Sequence, residues 1–171
     1  LIDYSKYKTI SAIPEASSMI ETFRAIGYNI ETAIADIIDN SISANAKNVW
    51  VNFEWLGSKT WLSIKDNGVG MNDFELVQAM RPGSKNPLQD RESKDLGRFG
   101  LGLKTASFSQ ARKLSVISKK SDDNSVYWTW DLDFVNQTEK WELIKYLPDE
   151  KFEKDLSSLV SGTIVIWNDI D

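Results

Sequence analysis

The sequence predicts an α/β (α+β) fold: a two-layer sandwich of one mixed, mostly antiparallel sheet with helices on one face. Three observations predict it. Two segments in the first quarter carry apolar residues at helical spacing, and six later segments of strand length alternate or run apolar. The 171 residues suit a single domain, spanning 1–171, with a core of its own.

The elements follow in order. Pro14 opens a helix over 15–25, with Ala16, Met19, Ile20 and Phe23 on one side. A second helix runs 30–42 and buries Ile30, Ala33, Ile34, Ile37, Ile38 and Ser41. That face leaves Asp36, Asp39 and Asn40 together at its edge, with Asp36 and Asn40 one turn apart. Strands are expected at 48–55 and 60–65, then a short helix at 72–80 capped by Asn72. Residues 81–99 lack hydrophobic periodicity, and a stretch of that length inside a domain is either a functional lid or a sign that the elements are wrongly assigned. A helix restarts over 100–110, and strands are expected at 113–118, 126–131, 141–147 and 163–168. All seven Trp fall in or beside strand candidates, as sheet core and edge packing requires.

Composition excludes several chemistries. The chain has no Cys and no His, so disulfides, thiol nucleophiles, imidazole bases and ordinary zinc sites are ruled out together. What remains is carboxylates, amides, hydroxyls, Lys and Arg, with an oxygen-ligated ion such as Mg2+. No apolar run approaches the roughly 18 residues of a membrane span, and no signal-peptide pattern opens the chain. A cytoplasmic, bacterial-type location is expected. The first residue is Leu, so a native start upstream and further domains beyond Asp171 are expected too. The net charge of −5 argues against a sequence-wide affinity for nucleic acid. Charge is uneven, however. Residues 81–104 carry a local +3 and the rest of the chain −8, a basic, glycine-punctuated stretch that favours a polyphosphate.

Three segments carry chemistry. In Asp36-Ile37-Ile38-Asp39-Asn40-Ser41, a carboxamide oxygen can ligate Mg2+ while a carboxylate one turn away orients or deprotonates water. In Asp66-Asn67-Gly68-Val69-Gly70-Met71, close glycines let backbone approach a flat ligand, and the carboxylate can accept from an exocyclic amine. Gly97-Arg98-Phe99-Gly100-Leu101-Gly102-Leu103-Lys104 runs glycines into a helix start, a phosphate-binding pattern. It is neither a P-loop nor a dinucleotide fingerprint, because the order is GxxGxG and no βαβ unit surrounds it.

The order of these segments closely resembles the Bergerat-fold ATPases: gyrase B, the heat-shock chaperone of the same fold, histidine kinases, MutL and MORC. Ser161-Gly162-Thr163 followed by a strand resembles the last motif of that superfamily, so the likeness spans about residues 15–168. The resemblance implies ATP and Mg2+ as ligands and residues 81–99 as a lid. It implies Asn40 as the magnesium ligand, Asp66 as acceptor for the adenine amino group, and Thr163 beside it through water. Gly68, Gly70 and Met71 would line the base. Gly97, Arg98, Phe99, Gly100, Leu101 and Gly102 would wrap the phosphates, with Arg98 and Lys104 adding charge.

Asp36 stands where the gyrase, chaperone and MutL branches usually carry Glu as the water-polarising residue. Asp is one methylene shorter, about 1.5 Å of reach, so slow turnover is expected unless the helix sits closer. A second departure is Ser43, where MutL-like sequences often have Asp. GLKTAS after the last glycine and DNS in the helix lean toward the MORC-like and MutL-like branches. The resulting expectation is an ATPase acting as a conformational switch, with homodimerisation on ATP binding. The alternatives are an ATP sensor without hydrolysis, the ATP-binding domain of a histidine kinase, and a degenerate fold kept for protein contacts.

Overall fold

The computed structural model describes residues 2–83 and 102–170. Its helices are α1 (Ala16–Arg24), α2 (Ile30–Ser43), α3 (Asp73–Met80), α4 (Gly102–Phe108), α5 (Leu132–Thr138) and α6 (Glu150–Ser157). The strands are β1 (Val49–Glu54), β2 (Trp61–Asp66), β3 (Ala111–Lys119), β4 (Val126–Asp131) and β5 (Gly162–Ile170). They form one sheet in the order β1-β2-β5-β3-β4, and every strand pairing is antiparallel.

Register explains the layering. The inner face of the sheet reads in rows across β2, β5 and β3. One row is Leu62, Trp167 and Leu114, the next Ile64, Val165 and Val116, and the third Asp66, Thr163 and Ser118. The first two rows are buried with Ala16, Ile20, Ala33, Ile37, Leu76, Ala106, Phe108 and Leu132, which lie on α1 to α5. The third row is polar and closes one end of this core. Residues of opposite parity, Ile117, Ile164 and Ile166, bury a smaller cluster with Phe152 and Leu156 of α6. The main helical layer thus covers one face, and among the described residues α6 is the helix that packs on the other.

The helix starts and stops are encoded locally. Asn29 accepts from the Thr32 N–H at 2.8 Å and begins α2. Asn45 ends it in the left-handed region, φ 59°, with Asn45 N–H on Ile42 O and Ala46 N–H on Ser41 O. That pair of bonds is a Schellman motif, and Asn is the side chain after Gly that tolerates it best. Asn72 and Glu75 form a reciprocal capping box on α3.

Three expectations are corrected. Residues 141–147 are not a strand. A single bridge joins Ile144 to Thr129, because Glu142 and Tyr146 N–H groups bond carbonyls only two residues back and fold the chain away from β4. Ile30 is not buried: it is 41% exposed at the start of α2, while Ala33, Ile37 and Ser41 carry the buried face. Trp55 lies past the end of β1 and is 81% exposed, so not all the Trp side chains pack in or against the sheet. Helices α5 and α6 lie outside the elements expected from the sequence. Each is short, capped by an Asp (Asp131 and Asp149), and shows too few turns for a period to declare itself.

Candidate functional site

The polar row is the starting point. Asp66 is the last residue of β2, Thr163 faces it from β5, and Ser118 faces Thr163 from β3. All three are buried. The Asp66 carboxylate accepts from the Ser41 hydroxyl at 2.9 Å and from the Gly68 N–H at 2.8 Å. Burial pushes its pKa above the ordinary 3.8, and hydrogen bonds from Gly68, Ser41 and the Thr163 backbone offset part of that. Ser118 accepts from the Met71 N–H at 2.8 Å, lies 2.7 Å from the Thr163 hydroxyl, and donates to Gly162 O at 3.1 Å.

The turn after Asp66 is fixed on two sides. Val69 N–H bonds Ala44 O at the end of α2. Asn67 Oδ1 accepts from the N–H groups of Lys47 and Asn48, and Ser161 donates to Gly68 O. Gly68 is needed here because a Cβ would lie 2.7 Å from Ala44 O. Gly70 combines φ +67° with a Cβ position only 1.9 Å from Lys119 O. Its glycine is therefore required by the fold itself, before any ligand is considered.

The same contacts hold the turn against α2, the helix that carries Asp36 and Asn40. Asp36 is half-buried and Asn40 exposed. The Tyr28 hydroxyl lies near the Asp36 carboxylate. Burial first, then the charge of Asp36, raises the Tyr28 pKa above 10.0. Gly102 opens α4 beside this group, with its Cβ direction ending 3.6 Å from Asp36 Oδ2. The short carboxylate thus lies against the helix that follows the glycine loop.

Lys104 is buried, and its ammonium donates to Ala79 O in the last turn of α3 at 2.9 Å. A cation there meets the negative end of that helix. Gly97, Arg98, Phe99, Gly100 and Leu101 lie outside the described residues, as does most of the 81–99 stretch.

The structure therefore brings Asp36, Asn40, Asp66, Gly68, Gly70, Met71 and Thr163 to one end of the sheet. It adds Ser41, Tyr28 and Ser118, none of them among the expected site residues. Ser41 had a signal, a hydroxyl on an otherwise apolar helix face. Ser118 had none short of the strand register. An apolar cavity of about 900 Å3 lies elsewhere, lined by Met19, Phe23, Val77, Trp128, Trp130 and Trp141 among others, and contains none of these polar residues.

The fold and site define a class: an antiparallel α/β sandwich whose polar strand-end row is tied to a helix bearing a carboxylate and a carboxamide. Comparison with known proteins supplies the family. Residues 28–163 match the family described as histidine kinase-, DNA gyrase B- and HSP90-like ATPase. Over 89 residues the chain is 32% identical to ATPase morc-1 of Caenorhabditis elegans, covering 52% of this chain and 10% of that protein. It is 33% identical over 111 residues to the chaperone protein HtpG of Campylobacter jejuni, covering 55% and 18%. It is 27% identical over 175 residues to the human structural maintenance of chromosomes flexible hinge domain-containing protein 1, covering 86% and 8%. The chain thus spans less than a fifth of each relative's length. It belongs to the histidine kinase-, gyrase B- and HSP90-like family of ATPases.

Proposed function

We propose that this domain binds Mg-ATP, hydrolyses it slowly, and uses the nucleotide as a conformational and dimerisation switch for a larger protein. The observation that carries the reading is the buried Asp66 carboxylate bonded to Ser41 of the same helix that presents Asp36 and Asn40. Asp66 accepts from the adenine amino group, and Thr163 lies beside it. Gly68, Gly70 and Met71 form the turn under the base. The loop from Gly97 to Gly102 receives the phosphates, with Arg98 adding charge. Lys104 adds charge beside that loop, and its bond to Ala79 O ties α4 to α3.

Asn40 suits a magnesium ligand because its carboxamide is exposed and makes no side-chain hydrogen bond among the described residues. Those residues contain no group of three or more His, Cys, Asp or Glu placed to hold a metal. One protein oxygen, with phosphate and water oxygens completing the shell, is the usual arrangement for Mg2+ at a nucleotide. An ion held by Asn40 would neutralise charge on the phosphates. Asp36 orients the attacking water and takes its proton, with the Tyr28 hydroxyl near its carboxylate.

A second reading, an ATP sensor that barely turns over, is favoured by the short side chain at Asp36. Its carboxylate is one methylene shorter than that of Glu and reaches less far toward a water. Phosphate release by a longer protein containing this domain separates the two. The enzyme reading predicts measurable turnover that Asp36→Asn lowers by about 100-fold or more with ATP affinity little changed. Wild-type turnover equal to buffer selects the sensor.

A further inference from the structure

We propose that the apolar cavity beside β4 is a second binding site, which takes an organic anion with a flat apolar body. It shares no residue with the polar row and does not depend on the nucleotide reading above.

The cavity follows from the edge of the sheet. Strand β4 is the last in the order, and its inner-face residues Trp128 and Trp130 continue the core rows of Val116 and Leu114. Phe23 of α1, Val77 of α3 and Trp141 of the bend join them in the apolar lining. Trp141 meets Trp130 edge-on, with ring centroids 6.2 Å apart. The space is about 900 Å3, within the roughly 300–1,000 Å3 of pockets that hold small ligands. Pro14, Arg81 and Glu142 also line it and are exposed, so the space opens to solvent. Apolar surface of this extent, concave and wet, gains free energy when a ligand covers it.

Hydrogen bonding shapes what fits. Each of the three lining indole N–H groups already has an acceptor. Trp128 donates to Asp73 at 2.9 Å, Trp130 to Met80 O at 2.9 Å, and Trp141 to Pro14 O at 3.5 Å. The rings therefore offer the space their faces and C–H edges, which suit a flat apolar group.

Charge selects among such groups. Of the described side chains that line the cavity, two are charged. Glu142 has the Lys140 ammonium 4.0 Å away, and Asp73, behind Trp128, has that of Lys145 at 3.8 Å. The Arg81 guanidinium has no ion pair or hydrogen bond among the described residues. The unmatched charge is thus a fork of donors shaped for a carboxylate or a sulfonate. A neutral ligand would leave it unused, and a cationic one would meet a like charge.

The test uses two fluorescent probes that share their rings and differ in charge. These are 1-anilinonaphthalene-8-sulfonate and the uncharged N-phenyl-1-naphthylamine. Each is titrated into the protein and followed by its own emission and by quenching of Trp emission. Near-UV circular dichroism checks the fold of every variant. The wild type is expected to bind each probe at one site per chain. Arg81→Gln is expected to weaken the sulfonate about fivefold and to leave the amine unchanged. Val77→Trp, which adds bulk to the lining, is expected to weaken both probes about tenfold or more. Phe53→Ser removes a 71% exposed aromatic outside the cavity and is expected to change neither.

Sulfonate affinity untouched by Arg81→Gln, or lowered equally with that of the amine, overturns the anion assignment. Probe binding that is absent from the wild type, intact in folded Val77→Trp or lost in Phe53→Ser overturns the site. Arg81 is exposed, so its variant keeps the proposal testable if Val77→Trp does not fold. Neither result bears on nucleotide binding at the polar row.

Discussion

At the scale of the residue, Asp66 must carry charge where charge is costly. Its folded pKa lies above 3.8, chiefly through burial. Between 3.8 and the raised value the folded state holds the proton more firmly than the unfolded state does. Stability from this group is therefore lost as pH rises through that window, and the ionised carboxylate is a liability in the empty domain. Asp66→Asn removes it. The Ser41 hydroxyl can then swing its proton wholly to Ile37 O, 3.4 Å away, and accept from the new amide. Thermal melts at neutral pH are expected to give an equal or higher midpoint for this variant; a drop of more than about 5 °C would mean the carboxylate is structural. A ligand amino group favours the ionised form, so ATP affinity is expected to tighten as pH rises through the raised pKa. The limiting slope is one proton, read from dissociation constants across pH 4 to 8. A flat profile would remove Asp66 from the base contact.

At the scale of the element, the site depends on how tightly the turn after β2 is seated. Gly70 and Gly57 both sit at positive φ, +67° and +60°, but only Gly70 has a backbone oxygen, that of Lys119, in the way of a Cβ. Gly57→Ala should cost about 1–2 kcal/mol, the left-handed strain alone. Gly70→Ala should cost at least about 3 kcal/mol, because β3 must also move. Urea denaturation of the two variants measures the difference, and equal costs would mean that the turn is not wedged on β3. Helix α3 depends on its box, so Asn72→Ala is expected to lose about 1 kcal/mol by the same measurement. The Asn72 cap, like the period of α2 and the alternation of β1, is written locally and could be read from sequence. The bend at 141–147 could not. It is set by carbonyls two residues back and by a single bridge to Thr129, which override a strand-like composition.

At the scale of the molecule, the sheet was legible as an inventory of strands but not as an order. Asp66 and Thr163 stood out as motif residues 97 positions apart, yet nothing in either motif says that β5 inserts between β2 and β3. That insertion creates the polar row and recruits Ser118, whose segment reads as an ordinary strand. Tyr28 was invisible for a similar reason: only the packed fold brings it near Asp36. The proposed switch also belongs to this scale. In a longer protein, Asp36→Asn should trap ATP and raise the dimeric fraction seen by sedimentation, whereas a dimer fraction indifferent to ATP would confine the nucleotide's role to the domain. The central claim, that the row beside α2 holds ATP through Asp66, is tested most directly by calorimetric titration with Mg-ATP of the wild type and of folded Asp66→Asn. Saturable binding by the wild type, weakened about 100-fold or more in the variant, is the predicted result. No binding by the wild type at millimolar nucleotide, or equal binding by both proteins, would contradict it.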